Sequence, residues 1–301
     1  MHKVVFHACE GLKNVSASQV EINSHLSFFD GMSSSEIQET LIKSAADLIT
    51  EESPNYQYVG GRLINYHLRK MVYNSFDPPH ILEIVKKNVK DRYYDKNLLE
   101  DYTEEEWEKI NKFIDHSRDE DFTYAAMEQF RGKYLVQNRV TGVIKETPQV
   151  AYILISATLF SNYPKETRLQ WVKDYYDAIS KFYISLPTPV MAGVRTPQRQ
   201  FSSCVLIETD DSLDSINATT SSIVKYVSQK AGIGIGAGSI RALGSPIRHG
   251  DAYHTGVIPF YKMFQSATRS CSQGGVRNGA ATLYYPLWHL EVEDLLVLKN
   301  N

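Results

Sequence analysis

The feature of this sequence that most constrains its fold is a change of pattern near residue 184. Upstream, apolar residues recur at helical spacing, as do Ile37, Leu41 and Ala45 after a serine cluster that can supply an N-cap. The stretch ISLPTPVMAGVRTPQRQF then brings in three prolines and a glycine, which predict a loop. SSCVLIE beyond it is a short apolar run rich in strand formers, and a helical pattern follows. This order predicts a helical region followed by an α/β unit.

Local signals predict where individual helices begin and end. Thr103 and Glu106 have the spacing of a capping box ahead of an amphipathic stretch. Asp211 or Ser212 can cap the helix that follows the strand, because short oxygen-bearing side chains accept from the free N–H groups of a first turn. We expect that helix to stop at Gly232.

Composition and charge exclude several classes of protein. The 301 residues are 43% hydrophobic and 22% charged, which is typical of a globular protein of about two domains. The net charge of -3 has no dominant block, so neither nucleic acid nor an anionic membrane is a predicted partner. The N-terminal stretch lacks the pattern of a signal peptide and no long apolar run occurs, so we expect a cytoplasmic protein without membrane association.

The cysteines exclude two further kinds of site. Cys9, Cys204 and Cys271 are odd in number and have neither CxxC nor zinc-ligand spacing, so the sequence predicts no disulfide framework and no structural metal. From its own segment, Cys204 reads as a packed structural residue, since free cysteine is often buried and no local base or cation is visible. Cys271 is likewise interpreted as a small buried residue rather than a nucleophile.

Residues 231–250 are dense in glycine and contain Arg241 and Arg248. A loose G-x-G-x-x-G/A pattern occurs there, but it follows a predicted helix instead of opening one, so a dinucleotide site is disfavoured. Two interpretations stay open. One is a backbone that approaches a ligand closely, with the arginines on phosphate oxygens. The other is a glycine-rich turn with two solvated arginines.

Residues 270–286 form a second glycine-rich stretch, around Gln273 and Arg277. Glycines lose much conformational entropy when they are ordered, so this stretch is a candidate for a loop that is fixed by a ligand. An ordinary flexible connection explains the composition equally well.

Four stretches together resemble a known family: SLPTPVMAGVRTPQRQFSSCVLIE, DSLDSINATTSSIVKYVSQKAGIGI, IRALGSPIR and SCSQGGVRNGAATLYYPLWHLEVEDLLVLKNN. They are similar to the large (α) subunit of class I ribonucleotide reductases, most of all the bacterial and bacteriophage class Ia ribonucleoside-diphosphate reductases, from about residue 10 onward. The resemblance implies an α/β fold, with a helical N-terminal region and the first part of a ten-stranded α/β barrel. It divides the chain into a truncated ATP-cone-like helical region (1–75), a helical domain (76–198) and the beginning of the catalytic barrel (199–301).

The resemblance also implies a role for Cys204, against the interpretation of its segment alone. Cys204 matches the redox-active cysteine that supplies reducing equivalents to the substrate ribose and ends in a disulfide with a partner cysteine outside this chain. A thiol can serve because exchange with another dithiol restores it. Thr188 and Ser203 match positions that bind the substrate diphosphate, and Gly232 lies where the backbone passes near the substrate.

A second set of residues matches the specificity site, which binds a deoxynucleoside triphosphate or ATP, with magnesium expected on its phosphates. Gln273 and Arg277 match the loop that couples this effector to the substrate base. Coupling of this kind must be reciprocal between the two ligands. The matched specificity-site positions are Asp211, Ser212, Leu213, Arg241 and Arg248.

Two departures from the family bear on function. The family continues for several hundred residues beyond LVLKNN, and those residues carry the radical-forming cysteine and the partner of Cys204. The phosphate-binding hairpin of the cone should precede residue 1. His67 and Lys70 remain at cone positions, but Gln38 and Ser34 stand where relatives have histidine and threonine. We therefore expect no normal binding of ATP or dATP by the cone.

The sequence-based hypothesis is the N-terminal portion of a ribonucleoside-diphosphate reductase large subunit, with its C-terminal portion on a separate polypeptide. The resemblance implies a β subunit with a di-iron tyrosyl radical, homo-oligomerisation of the assembled large subunit, and thioredoxin or glutaredoxin as reductant. A nucleotide-binding regulatory or inactive remnant is the alternative of a different class, and a truncated or misread chain is a third. A cobalamin-dependent class II enzyme is disfavoured because the motifs follow class I throughout.

Overall fold

The computed structural model describes residues 2–25, 27–273 and 277–298, with the backbone alone at 272, 273 and 277. The chain divides into two compact units between Arg199 and Gln200. The first unit is built from helices, which are joined by short loops, a 3₁₀ helix at His116–Asp121 and a π-helical turn at Phe130–Tyr134. Its α-helices are α1 (His2–Cys9), α2 (Ala17–His25), α3 (Ser34–Asp47), α4 (Tyr56–Tyr73), α5 (Ile81–Lys90), α6 (Asn97–Asp101), α7 (Glu104–Phe113), α8 (Tyr124–Gln129), α9 (Pro148–Phe160), α10 (Arg168–Ser180) and α11 (Thr188–Gly193).

The predicted helix starts in this unit are confirmed. The Ser33 side chain accepts from the Glu36 backbone, and the Glu36 carboxylate accepts from the Ser33 N–H, so α3 opens with a capping box. Thr103 and Glu106 make the same reciprocal pair at α7. Both starts follow from contacts between residues three apart, which the sequence alone contains.

The core of the first unit lies around α9. Residues on every side of α9 are buried, Val150, Ile153 and Leu154 among them, which is the pattern of a helix surrounded by others. Helices α10 and α11 pack against it, and α4 packs against α3 and α8. This arrangement fixes the segment after α10 that carries Thr188.

Gly61 in α4 provides a test of this packing. A Cβ added there would overlap the carbonyl oxygen of Phe122, so the side chain cannot be accommodated without a backbone shift. In an exposed helix, Gly→Ala stabilises by about 1 kcal/mol. Here we expect Gly61→Ala to lower the free energy of unfolding by about 1–3 kcal/mol, as overpacking does. Urea denaturation measures it, with Gly132→Ala as the control, since nothing lies within 4 Å of a Cβ at Gly132. A Gly61→Ala chain as stable as the unchanged one would contradict this packing.

The second unit is an α/β unit. Within the described residues, three parallel strands form a sheet in the order β1-β2-β7, and two short antiparallel pairs, β3-β4 and β5-β6, lie in the connections. The α-helices are α12 (Leu213–Ser228), α13 (Ile258–Arg269) and α14 (Val292–Val297), and Arg248–Gly250 forms a 3₁₀ turn. The strands are β1 (Cys204–Glu208), β2 (Gly232–Gly236), β3 (Pro246–Ile247), β4 (Ala252–Tyr253), β5 (Ser272–Gln273), β6 (Arg277–Asn278) and β7 (Ala281–Tyr284).

The sheet has one face packed on helices. Val205 and Ile207 of β1 and Ile233 and Ile235 of β2 point to the core that α12 and α13 complete. Because side chains alternate along a strand, the residues between them lie on the opposite face. Cys204 is the first residue of that opposite face.

One sequence-based expectation is wrong here, and one of the two interpretations left open for the glycine-dense segment does not hold for its first part. The helix α12 ends at Ser228, four residues before Gly232, because Lys230 adopts a left-handed backbone (φ 71°) that turns the chain into β2. The glycine-dense segment after it was open to interpretation as a turn, yet its first part, Gly232–Gly236, is the central strand of the sheet. Ser212 caps α12 as predicted, since its side chain accepts from the Ser215 N–H.

Candidate functional site

Cys204 opens β1 and is exposed. It lies directly opposite Gly232 of β2, whose N–H donates to the Ser203 carbonyl at 2.8 Å. The expectation, drawn from its segment alone, that Cys204 is buried is therefore wrong for this chain. In this chain the face of β1 that carries Cys204 is uncovered, and Leu206 on that face is 81% exposed.

A row of glycines in β2 borders the thiol. Gly232, Gly234 and Gly236 all point to the face of Cys204, and their register places them opposite the exposed residues of β1. A Cβ at Gly232 would lie 3.6 Å from the Cys204 sulfur, whereas one at Gly236 would overlap the Glu208 carboxyl group. At Gly234 and Gly236, side chains of β1 thus occupy the space that side chains of β2 would need, whereas a Cβ at Gly232 would have only the Cys204 sulfur and the Ser203 carbonyl oxygen within 4 Å. The backbone of β2 is left open to close approach beside the thiol.

The C-terminal end of β1 leads into a polar site at the start of α12. Asp211 accepts twice from Arg241, from its backbone N–H at 3.0 Å and from its side-chain Nε at 2.6 Å. Ser212 caps the helix, and Leu213 beside it is 68% exposed. The structure thus brings Asp211, Ser212, Leu213 and Arg241 together. A helix N-terminus with an adjacent guanidinium favours an anion.

Of the other residues predicted for this region, Arg248 is described in full, and Gln273 and Arg277 are described by their backbone alone. Arg248 is exposed in the 3₁₀ turn between β3 and β4, with a left-handed backbone (φ 53°). Gln273 and Arg277 pair with each other as the backbone of β5 and β6, while their side chains and residues 274–276 lie outside the described part of the chain.

The matched residues of the first unit lie in two places. Thr188 is half-buried at the first position of α11. His67 of α4 lies 3.3 Å from the Ser35 hydroxyl and 3.6 Å from the Glu39 carboxylate, and burial lowers its pKa below the usual value. Lys70, one turn further on, is exposed. Arg131 also forms an ion pair with Glu39, so His67 belongs to a cluster of polar side chains with Ser35, Glu39 and Arg131.

The described residues contain neither a candidate metal site nor a candidate membrane-spanning helix. Among them, His, Cys, Asp and Glu side chains form no group of three that could hold a metal ion. None of the described helices combines the length and the apolar character that crossing a membrane requires.

Sequence reasoning did not single out two residues near the C-terminus. His289 and Glu291 are both buried, and both hydrogen-bond to the backbone of the connection between β2 and α13. In the sequence they are two of the four polar residues in the stretch PLWHLEVEDLL, a pattern too common to indicate such a contact.

Comparisons with known proteins agree with this architecture. The model of the ribonucleotide reductase all-alpha domain matches residues 120–199, and that of the ribonucleotide reductase barrel domain matches residues 202–301. Together they confirm the predicted fold class, a helical N-terminal region followed by the first part of an α/β barrel.

Curated relatives match over the whole chain. The ribonucleoside-diphosphate reductase subunit alpha of Haemophilus influenzae is 67% identical over 301 residues, and the ribonucleoside-diphosphate reductase 1 subunit alpha of Escherichia coli is 66% identical. The subunit alpha of enterobacteria phage T4 is 50% identical over 99% of this chain. The chain spans 40% of the length of the two bacterial relatives and 39% of the phage relative.

Proposed function

This chain belongs to the family of ribonucleotide reductase large subunits, and we propose that it contributes a reductant thiol and an effector site to a ribonucleoside-diphosphate reductase. It corresponds to the N-terminal portion of the large subunits that it matches. In this proposal it acts together with the rest of the barrel and with a β subunit, and it reduces ribonucleoside diphosphates to deoxyribonucleoside diphosphates.

The observation that carries the proposal is the exposed thiol of Cys204 beside the glycine row of β2. A substrate that lies over Gly232 can bring its ribose close to the sulfur, because Gly232 has no side chain that would intervene. In the proposed step the ribose loses its 2′ hydroxyl as water and gains two electrons. Cys204 and a second thiol supply those electrons and become a disulfide, which a dithiol protein such as thioredoxin or glutaredoxin reduces again.

The remaining substrate contacts follow from the family match. Thr188 and Ser203 are proposed to bind the diphosphate, and Gly232 to face the ribose. The radical that removes the 3′ hydrogen is proposed to arise in the remaining portion of the large subunit, from the di-iron tyrosyl radical of a β subunit. Homo-oligomerisation of the large subunit and a cytoplasmic location belong to the same proposal.

The effector site is proposed at the start of α12. The Arg241 guanidinium and the free N–H groups of the helix suit a triphosphate, and Arg248 extends the positive charge along the same connection. Magnesium would reach the site on the nucleotide phosphates. Gln273 and Arg277 are proposed to couple this nucleotide to the substrate base, while His67 and Lys70 are the proposed remnant of the cone.

Removal of one arginine tests this site. Arg241→Ala should weaken binding of dTTP by about ten- to hundredfold, the equivalent of about 1.5–3 kcal/mol for hydrogen bonds to a charged group. The substitution removes a cation and also leaves the Asp211 carboxylate unopposed beside the phosphates. Equilibrium dialysis with magnesium and dTTP measures the effect, and Lys165→Ala, an equal loss of charge on the surface of the first unit, is the control. Equal affinity for the Arg241→Ala and unchanged chains would place the effector elsewhere.

Isolation from the native source tests the proposed assembly. A tagged chain should co-purify with the rest of the barrel, and the preparation should reduce CDP. Recovery of the chain with bound dTTP but without any reductase activity would favour the regulatory or inactive remnant. The isolated polypeptides would also decide whether the remaining portion is a separate chain, which stays a prediction.

A further inference from the structure

The connection between β2 and α13 is a long hairpin that is held at its base. We call residues 240–257 the effector loop, since they carry Arg241 and Arg248. Strands β3 and β4 pair within it, and Gly244 donates to the His254 carbonyl at 3.0 Å. Its outer part is exposed, whereas Ile240 and Val257 at its two ends are buried.

A single carboxyl oxygen joins the two sides of this hairpin. Oε2 of Glu291 accepts from the Leu243 N–H at 2.9 Å and from the Val257 N–H at 3.0 Å. Leu243 lies on the outgoing side of the effector loop and Val257 on its returning side. Glu291 itself is only 7% exposed. A buried carboxyl group that accepts from backbone N–H groups fixes them strongly, because an unmade bond would leave each N–H unsatisfied.

His289 adds a third bond to the same loop. Its Nδ1 accepts from the Glu291 N–H at 3.2 Å, so the proton of the neutral ring lies on Nε2, which donates to the Ile240 carbonyl at 3.0 Å. The ring is buried. His289 therefore ties the start of the effector loop to the segment that bears Glu291.

Gly256 shows that the loop is shaped around this carboxyl group. Its φ of +90° is a conformation that other residues rarely adopt, and a Cβ there would lie 2.5 Å from Oε1 of Glu291. The segment bearing Glu291 also follows β7 closely, and the Tyr284 carbonyl of β7 accepts from Ala237 just before the effector loop. These hydrogen bonds therefore connect β7 and the segment that follows it to the effector loop and the residues just before it.

We infer that Glu291 and His289 are positioning residues for the effector site: they hold both sides of the effector loop, and with it Arg241 and Arg248, in the arrangement that binds a nucleoside triphosphate. This inference rests on the effector site of the proposed function. Arg241 is two residues from the Leu243 bond and one residue from the Ile240 bond, so release of the base of the hairpin would move its guanidinium directly.

Substitution of Glu291 provides the test, with the whole chain and with dTTP and magnesium as the probe. Glu291→Leu should bind dTTP about tenfold more weakly, because only the fraction of molecules with a closed loop binds. Glu291→Gln should stay within about threefold of the unchanged chain, since an amide oxygen accepts the same two N–H bonds. Glu293→Leu, an exposed position on α14, is the matched control and should have no effect.

The rate of tryptic cleavage after the exposed Arg248 measures how readily the effector loop opens. It should be faster in Glu291→Leu than in the unchanged chain, and saturating dTTP should restore protection, while cleavage sites outside the effector loop stay as they were. If Glu291 only stabilised the fold as a whole, its substitution would not give a dTTP-dependent change in cleavage rate that is confined to the effector loop. Equal dTTP affinity together with equal cleavage after Arg248 would overturn the inference.

Two further outcomes are distinguishable. If Glu291→Leu does not fold, His289→Leu takes its place. It removes the bonds to the Ile240 carbonyl and the Glu291 N–H but keeps the Glu291 carboxylate, and dTTP affinity equal to that of the unchanged chain overturns the inference. If the unchanged chain binds no dTTP, the proposed effector site itself is wrong, and the inference falls with it.

Discussion

Cys204→Ser is expected to reduce steady-state ribonucleotide reduction to background in an assembly that is otherwise active. Serine keeps the size of the side chain at the exposed start of β1, so the fold and the neighbouring Gly232 should be unaffected. A hydroxyl group cannot form or exchange a disulfide, so the two electrons that each turnover needs cannot be delivered. CDP reduction with a dithiol reductant measures the loss.

Cys271→Ser is the matched control. Cys271 lies in the same unit and is half-buried against its core, away from the exposed face of the sheet. This variant should retain turnover, and both variants should bind dTTP like the unchanged chain. Continued turnover by Cys204→Ser would remove the reductant role from this residue.

Arg195→Met is expected to produce the largest loss of stability, about 3–5 kcal/mol, as is typical when one partner of a buried ion pair is removed. Arg195 and Glu146 are both fully buried, and Arg195 Nε lies 2.8 Å from a carboxylate oxygen of Glu146. Arg195 also donates to the carbonyls of Met191 and Tyr134. The substitution would leave the Glu146 charge without a counterion and would release the end of α11, which carries Thr188.

A double substitution separates the charge from the hydrogen bonds. Glu146 also accepts from the Tyr94 hydroxyl and from the Val136 N–H, both at 2.7 Å. Glu146→Gln keeps an acceptor but removes the charge, so Glu146→Gln with Arg195→Met should be more stable than Arg195→Met alone. Urea denaturation of the chain measures both. Lys96→Met, which breaks an exposed ion pair with Glu100, should cause no measurable change. A fully stable Arg195→Met chain would show that the buried pair does not hold this region.

Elements defined by local contacts could be predicted from the sequence. The N-cap from the serine cluster at Ser33, the capping box at Thr103 and the cap at Ser212 each involve residues three apart, and the structure has all of them. Strand β2 could not be predicted in the same way. Glycine disfavours strands, and Gly232–Gly236 is a strand because β1 and β7, from other parts of the sequence, pair with it on its two sides.

The candidate site, too, has some parts that could be predicted from the sequence and others that could not. Asp211 and Arg241 were grouped by resemblance, and their hydrogen bonds place them together. The exposure of Cys204 depends on which face of the sheet the helices cover, and that is a property of the assembled unit. Glu291 reaches Leu243 across 48 residues, and no local pattern encodes such a contact. The substrate and effector roles of the matched residues stay predictions.

The measurement that tests the central claim most directly is CDP reduction by the assembly that this chain enters, in ATP-supplemented buffer without dTTP. We predict activity only when the chain is present together with the rest of the barrel and a β subunit, and loss of that activity with Cys204→Ser. An assembly that reduces CDP equally well without this chain would contradict the account. So would an assembly with every component present that binds nucleotide and reduces none.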